Sequence, residues 1–301
     1  MELLTVDIDG PVHYHDAPGP GPDAPVAVLV HGLGASHVSW HPLIPLLTTT
    51  HRVLAPDLVG FGHSAPVGRD STIAANTELL RRFLDQVAGG PVTLFGNSMG
   101  GMVSALLASA HPTAVDGLVL VNPARPGVLN PRGLGDVDPQ LALHFALYNT
   151  PFVGERFLRF RRSRSTPAQQ VATLLEQVCS DASRVPADTV ELLIELTATR
   201  RRYSWSDRAF LTAERSLMRQ LTLGRKDYLE VLHGLPMPTL LVHGEDDRLV
   251  RVATAVAVAP GNPRMELVTL PGVGHAPQLE APEQLHDAVR RWLAATRHDV
   301  T

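Results

Sequence analysis

Ser98 stands in the segment Gly96-Asn97-Ser98-Met99-Gly100-Gly101, after the apolar run Val92–Phe95 and before a helical pattern that begins at Met99. A strand that turns abruptly into a helix forces the turn residue into a strained backbone. Glycines flank such a turn because a Cβ there would meet the neighbouring strand and helix. The hydroxyl is lifted clear of the sheet, and the helix N-terminus offers free N–H groups to a developing oxyanion. A serine so placed can attack a carbonyl carbon once a base takes its proton. His275, in Gly272-Val-Gly-His275-Ala-Pro, is the candidate base. Asp247, in Leu241-Val-His-Gly-Glu-Asp-Asp247-Arg-Leu-Val250, is the candidate acid to orient it. His31-Gly32-Leu33-Gly34 follows the run Val26–Val30 and supplies a fourth part. There the Leu33 N–H is expected to join the Met99 N–H as an oxyanion donor. His31 itself reads as a strand-end histidine that satisfies a local hydrogen bond.

These residues need a scaffold that brings them to one rim. Continuous apolar runs at Val26–Val30, Val92–Phe95, Leu118–Val121, Thr239–Val242 and Glu266–Leu270 fit strands buried on both faces of a mostly parallel sheet. Helical patterns at Thr72–Val87, Met99–Ala110 and Pro282–Thr296 alternate with them, which implies an α/β doubly wound architecture. Leu3–Ile8 and Val12–His15, joined by Asp9-Gly10, read as an antiparallel hairpin at the edge. In open α/β sheets, sites form at the carboxyl ends of strands, where Ser98, Asp247 and His275 all fall.

The alternation breaks between Asn122 and about Leu235, with helices expected at Pro139–Tyr148, Pro167–Cys179, Pro186–Thr199 and Asp207–Leu221. Residues 124 to 235 carry 16 basic and 12 acidic side chains, a net of +4, leaving 10 basic and 18 acidic, a net of −8, elsewhere. A shift of that size marks an inserted unit. The expected organisation is a core over 1–122 and 236–301, with a helical insertion over 123–235.

The chain resembles the α/β-hydrolase superfamily over nearly its full length. The resemblance is carried by His31–Gly34, Asp57-Leu-Val-Gly60-Phe-Gly62-His-Ser64, Gly96–Gly101, Gly244–Asp247, and Gly272–His275 followed by Glu280-Ala-Pro282-Glu283. It implies the α/β-hydrolase fold, with residues 123–235 as a helical cap over the site. The order Ser98, Asp247, His275 matches the nucleophile, acid and base of that fold. In relatives the acid falls three residues after the glycine that closes the strand, here Gly244, which selects Asp247 over Glu245 and Asp246. Dehalogenases and epoxide hydrolases of this fold place Asp where Ser98 stands. Hydroxynitrile lyases use a cap lysine, and the only lysine here is Lys226. Asn122 occupies the point where some relatives keep the acid, and it cannot ionise. Carbon–carbon hydrolases of ring-fission products share Asn97–Gly101, but they carry Trp where this chain has Ala276, and a cap arginine that the sequence does not single out.

Bulk composition narrows the partners. A net charge of −4 and a pI near 6.4 do not suggest nucleic acid or an anionic membrane. One cysteine, Cys179, excludes an intramolecular disulfide and reads as a buried structural residue. The N-terminus lacks a basic, then apolar, leader, and no apolar stretch approaches a membrane span, so a cytoplasmic protein without membrane insertion is expected. The arginines at 159, 161, 162, 164 and 200–202 read as solvated helix faces. Leu143, Phe145, Leu147, Phe152, Phe157 and Phe160 are candidate pocket lining for an uncharged, apolar small-molecule substrate. The expected activity is a serine hydrolase cleaving a carboxylic ester, lactone or thioester, with no cofactor and no metal. A carbon–carbon hydrolase is the alternative within the fold, and a non-catalytic small-molecule-binding protein the alternative of another class.

Overall fold

The computed structural model describes residues 2–126, 146–150 and 152–298. Eight strands form one sheet: β1 (Leu3–Asp7), β2 (Pro11–Ala17), β3 (Val26–Val30), β4 (Arg52–Pro56), β5 (Val92–Asn97), β6 (Val115–Val121), β7 (Thr239–Gly244) and β8 (Met265–Leu270). Their spatial order is β1-β2-β4-β3-β5-β6-β7-β8, with β3 to β8 parallel and β1 and β2 antiparallel at one edge. This is the doubly wound α/β-hydrolase architecture. Asp9 (φ 53°) and Gly10 (φ 127°) turn the edge hairpin, which pairs Leu3 with His15 and Asp7 with Pro11.

Helices cover both faces. They are α1 (Ile44–Leu47), α2 (Ile73–Phe83), α3 (Met99–Ala110), α4 (Val153–Arg164), α5 (Pro167–Val178), α6 (Ala187–Arg200), α7 (Ser206–Thr222), α8 (Arg225–His233), α9 (Val252–Val258), α10 (Pro277–Glu280) and α11 (Pro282–His298). Alternation along each strand decides which face a side chain fills. Val28, Val30, Leu94, Leu118 and Leu241 pack with Leu80, Phe83, Met102 and Val103 on one side. Ala27, Leu29, Phe95, Val119 and Val242 pack with Trp40, Leu285 and Trp292 on the other. With both faces covered, the strands read as unbroken apolar runs.

Thr72 caps α2 by accepting from Ala75 N at 3.3 Å, and Gly89 (φ 79°) ends the turn that continues it. Between β6 and β7 the described residues contain α4 to α8. Thr166 closes a capping box with Gln169 at the start of α5, where Pro167 takes the first helical position. The helices expected at Pro167–Cys179, Pro186–Thr199 and Asp207–Leu221 are present within a residue or two at each end. Most of the helix expected at Pro139–Tyr148, with Leu143 and Phe145, lies outside the described residues.

Among the described residues no helix is long and apolar enough to cross a membrane.

Candidate active site

β5 runs into α3 with Ser98 between them at φ 54°, ψ −118°, a backbone that L-residues adopt rarely and at a cost of about 1–3 kcal/mol. The crowding that holds it there is measurable. A Cβ on Gly96 would lie 2.5 Å from Gly100 O, and one on Gly100 would lie 2.3 Å from Val30 O. The Ser98 N–H donates to Val121 O at 3.1 Å, which pins the turn to the end of β6.

Asp247 is 5% exposed and is held by four groups. Its Oδ1 accepts from Leu249 N at 2.8 Å and Val250 N at 2.9 Å, while Asn122 Nδ2 donates to Oδ2 at 2.7 Å. His275 Nδ1 lies 2.7 Å from the same Oδ2. Burial pushes the carboxyl up, but His275, the Val250 N–H and Asn122 outweigh it and hold Asp247 below the usual carboxylate range. Its neighbours point elsewhere. Glu245 accepts from Thr269 Oγ1, and exposed Asp246 accepts from Ser180 Oγ at 2.9 Å. Of the three carboxylates in this loop, only Asp247 faces His275.

The loops that carry these residues are packed main chain to main chain. A Cβ on Gly244 would meet Gly274 O at 2.1 Å, and Asn122 Nδ2 reaches Gly274 O at 3.2 Å. Asn97 Nδ2 donates to His275 O at 3.2 Å, so the residue before Ser98 touches the histidine's own backbone. The Ser98 hydroxyl makes no hydrogen bond to His275 in this structure. Such contacts are often long in unliganded sites and tighten when substrate is bound.

The loop His31–Gly34 lies against the same turn, for a Cβ on Gly32 would sit 3.2 Å from Ser98 Cβ. The N–H groups of Leu33 and Met99 donate to no protein group among the described residues. His31 is fully buried and serves the loop, with Nδ1 at 2.8 Å from Gly32 O and Nε2 accepting from Leu58 N at 3.0 Å. Burial lowers its pKa to about 4, so the ring is neutral.

Three further residues support the site through contacts that no local sequence pattern records. Asn122, at φ 43°, bridges Asp247, Gly274 and Gly244 N. His243 on β7 sits behind the acid, with Nε2 2.6 Å from Val250 O and 3.4 Å from Asp247 Oδ2, and with Nδ1 2.9 Å from Arg125 Nη2. Arg200 sends Nη1 to Gly34 O at 2.7 Å, and Phe210 closes on Gly34. The arginine run thus divides, with Arg200 turned inward and Arg159 and Arg164 on the exposed face of α4. Phe152 and Phe160 are also exposed, which removes them from the candidate lining. No group of three or more His, Cys, Asp or Glu that could hold a metal occurs among the described residues. Cys179 is buried, and burial pushes its thiol up to about 12.

Residues 25–282 match the sequence family described as alpha/beta hydrolase fold. The chain belongs to that family. It is 28% identical over 270 residues to the pimeloyl-[acyl-carrier protein] methyl ester esterase of Yersinia enterocolitica, covering 87% of this chain and 90% of the relative. It is 26% identical over 278 residues to the 2-hydroxy-6-oxo-6-(2'-aminophenyl)hexa-2,4-dienoic acid hydrolase of Metapseudomonas resinovorans, covering 91% and 85%. Against the biotin biosynthesis bifunctional protein BioHC of Teredinibacter turnerae, identity is 25% over 93% of this chain, which spans 46% of that longer protein. A thermophilic esterase structure from Thermogutta terrifontis superposes with a TM-score of 0.71 at 23% identity, covering 98% of this chain and 99% of the other, and shows the shared fold. The family is one of hydrolases, and its members differ in the bond they cleave.

Proposed function

We propose that the chain hydrolyses a carboxylic ester, or a lactone or thioester, of an apolar small molecule through an acyl-enzyme on Ser98. The observation that carries this reading is the Ser98 turn: a serine at positive φ between a strand and a helix, with two N–H groups at the turn and its neighbouring loop that donate to no protein group among the described residues. His275 takes the Ser98 proton as its Oγ bonds to the carbonyl carbon, and the oxyanion is received by the Leu33 and Met99 N–H groups. A donor of this kind is worth about 3 kcal/mol in the transition state. The imidazolium then protonates the leaving group, and a water deprotonated by His275 releases the acid. Asp247 holds Nδ1 of the ring, so that Nε2 is the nitrogen that works.

A carbon–carbon hydrolase is the second reading. Two observations favour it, the 26% identity to the ring-fission-product hydrolase and the inward guanidinium of Arg200 beside Gly34. Ala276, in place of the tryptophan of those relatives, favours the ester.

A series of p-nitrophenyl esters, run beside a vinylogous 1,5-diketone acid, separates the two. The ester reading expects turnover of the short acyl esters and little of the diketone. The opposite ranking would move the chain to the second reading, and no turnover of either would favour a binding protein.

A further inference from the structure

The loop that carries His275 is not held by the sheet alone. Its main chain is bonded to the end of α5, for Val178 O accepts from His275 N at 2.7 Å and from Ala276 N at 3.1 Å. Glu280, 4% exposed, then ties the same two segments together through its carboxylate. Oε1 accepts from Gly274 N at 2.6 Å, and the two oxygens accept from Ser180 N at 3.1 and 3.0 Å and from Asp181 N at 3.2 Å. Three main-chain donors thus meet one buried carboxylate, one from the residue before His275 and two from the helical region. Gly274 makes the approach possible, since a Cβ there would lie 2.7 to 2.8 Å from Ser180 N, Cys179 C and Val178 O. Ala276 and Leu279 pack in one cluster with Val171, Leu175 and Cys179, so the apolar contacts follow the polar ones.

A carboxyl group that accepts several N–H bonds in a dry setting is a strong, directional link. Here the link runs between the residue before His275 and the segment that ends α5, inside the helical insertion. We propose that Glu280 is a positioning residue that fixes the His275 loop against residues 178–181, so that His275 is aligned only when this part of the helical region is docked. The α5 end is then a wall of the site rather than a part that opens. This rests on the reading of His275 as the base.

Glu280→Gln tests it, because the amide keeps one acceptor oxygen and turns an NH2 toward N–H donors. The expected result is a fall in kcat approaching about a hundred-fold with KM changed little, the signature of a displaced reacting group. Hydrogen exchange should rise together at 272–276 and 178–181, while β5 and β6 keep the parent's protection. Unchanged kcat, or faster exchange in one segment without the other, would overturn the proposal. Should Glu280→Gln fail to fold, Gly274→Ala approaches the same contact from the other side and should show the same loss of kcat with KM retained. Parent-like kcat in Gly274→Ala would likewise overturn it. The exchange measurement stands apart from activity, so a parent protein that forms no acyl-enzyme at Ser98 sinks the base reading and leaves the clamp still tested.

Discussion

Two buried aspartates in this molecule each hold a histidine. Asp247 lies past β7 with His275 Nδ1 at 2.7 Å, and Asp57 lies past β4 with His37 Nδ1 at 2.9 Å. Both carboxyls are held below the usual range despite burial. They differ in what the pair is closed against. Asp57 Oδ1 also takes the His37 N–H and Oδ2 takes the His63 N–H, while a Cβ on Gly62 would stand 1.9 Å from that oxygen. That cluster is a knot of one loop with its neighbours. At Asp247, by contrast, the histidine comes from the last strand's loop and sits beside the strained Ser98 turn. An Asp–His pair marks a reacting site only where a nucleophile and open N–H donors share its rim.

Breaking each pair should therefore have different consequences for turnover. Asp247→Asn frees His275 to take the wrong tautomer, and turnover should fall by about ten-thousand-fold, while its amide NH2 facing buried donors costs about 1–3 kcal/mol in unfolding free energy. Stopped-flow or steady-state assays with a p-nitrophenyl ester check this.

The pH dependence of stability comes next in size. Burial first, and Arg125 beside His243, lower the pKa of His31 and His243 to about 4, well under the ordinary histidine value. The unfolded chain then binds more protons than the folded one between pH 6.5 and 4. Stability is full above about pH 6.5 and falls as pH drops toward 4, by on the order of 3 kcal/mol for each ring. Urea unfolding at pH 7.5, 5.5 and 4.5 should show the decline, and a flat profile would contradict the buried neutral state of both rings.

Asp57→Asn should share the stability cost of Asp247→Asn, because its amide NH2 must also face donors that the carboxylate accepted, but not the loss of turnover. A loss of about 1–3 kcal/mol in unfolding free energy is expected, with kcat of the folded fraction within about ten-fold of the parent. The smallest effect belongs to Asp246→Asn, where only the Ser180 hydroxyl bond at the surface is altered. Its turnover should stay within a few-fold, and a crippled Asp246→Asn beside an active Asp247→Asn would shift the acid by one residue.

The sheet and the strand-end residues were legible because local pattern suffices for them: a buried parallel strand is an apolar run, and the Ser98 turn needs its glycines next to it in sequence. β4 escaped because its apolar part is only Val53-Leu54-Ala55, closed by Arg52 and Pro56. α4 escaped because its arginines and the exposed Phe160 leave no buried apolar stripe, Gly154 being its one buried residue. The contributions of Asn122 and Glu280 depend on residues far along the chain. Asn122 meets Asp247 across 125 positions, and Glu280 meets Ser180 across 100. No periodicity records such a meeting, which exists only once β6, β7 and β8 lie side by side. Arg200 was one of several arginines until its bond to Gly34 set it apart.

The central claim is that Ser98 is the residue that becomes acylated. Treatment with a fluorophosphonate, followed by intact mass and peptide mapping, tests it most directly, since only an activated serine attacks phosphorus quickly. The account predicts one adduct per chain, on the peptide that contains Ser98, absent in Ser98→Ala and strongly slowed in Asp247→Asn. Labelling that persists at the parent's rate in Ser98→Ala, or an adduct on another residue, would contradict it.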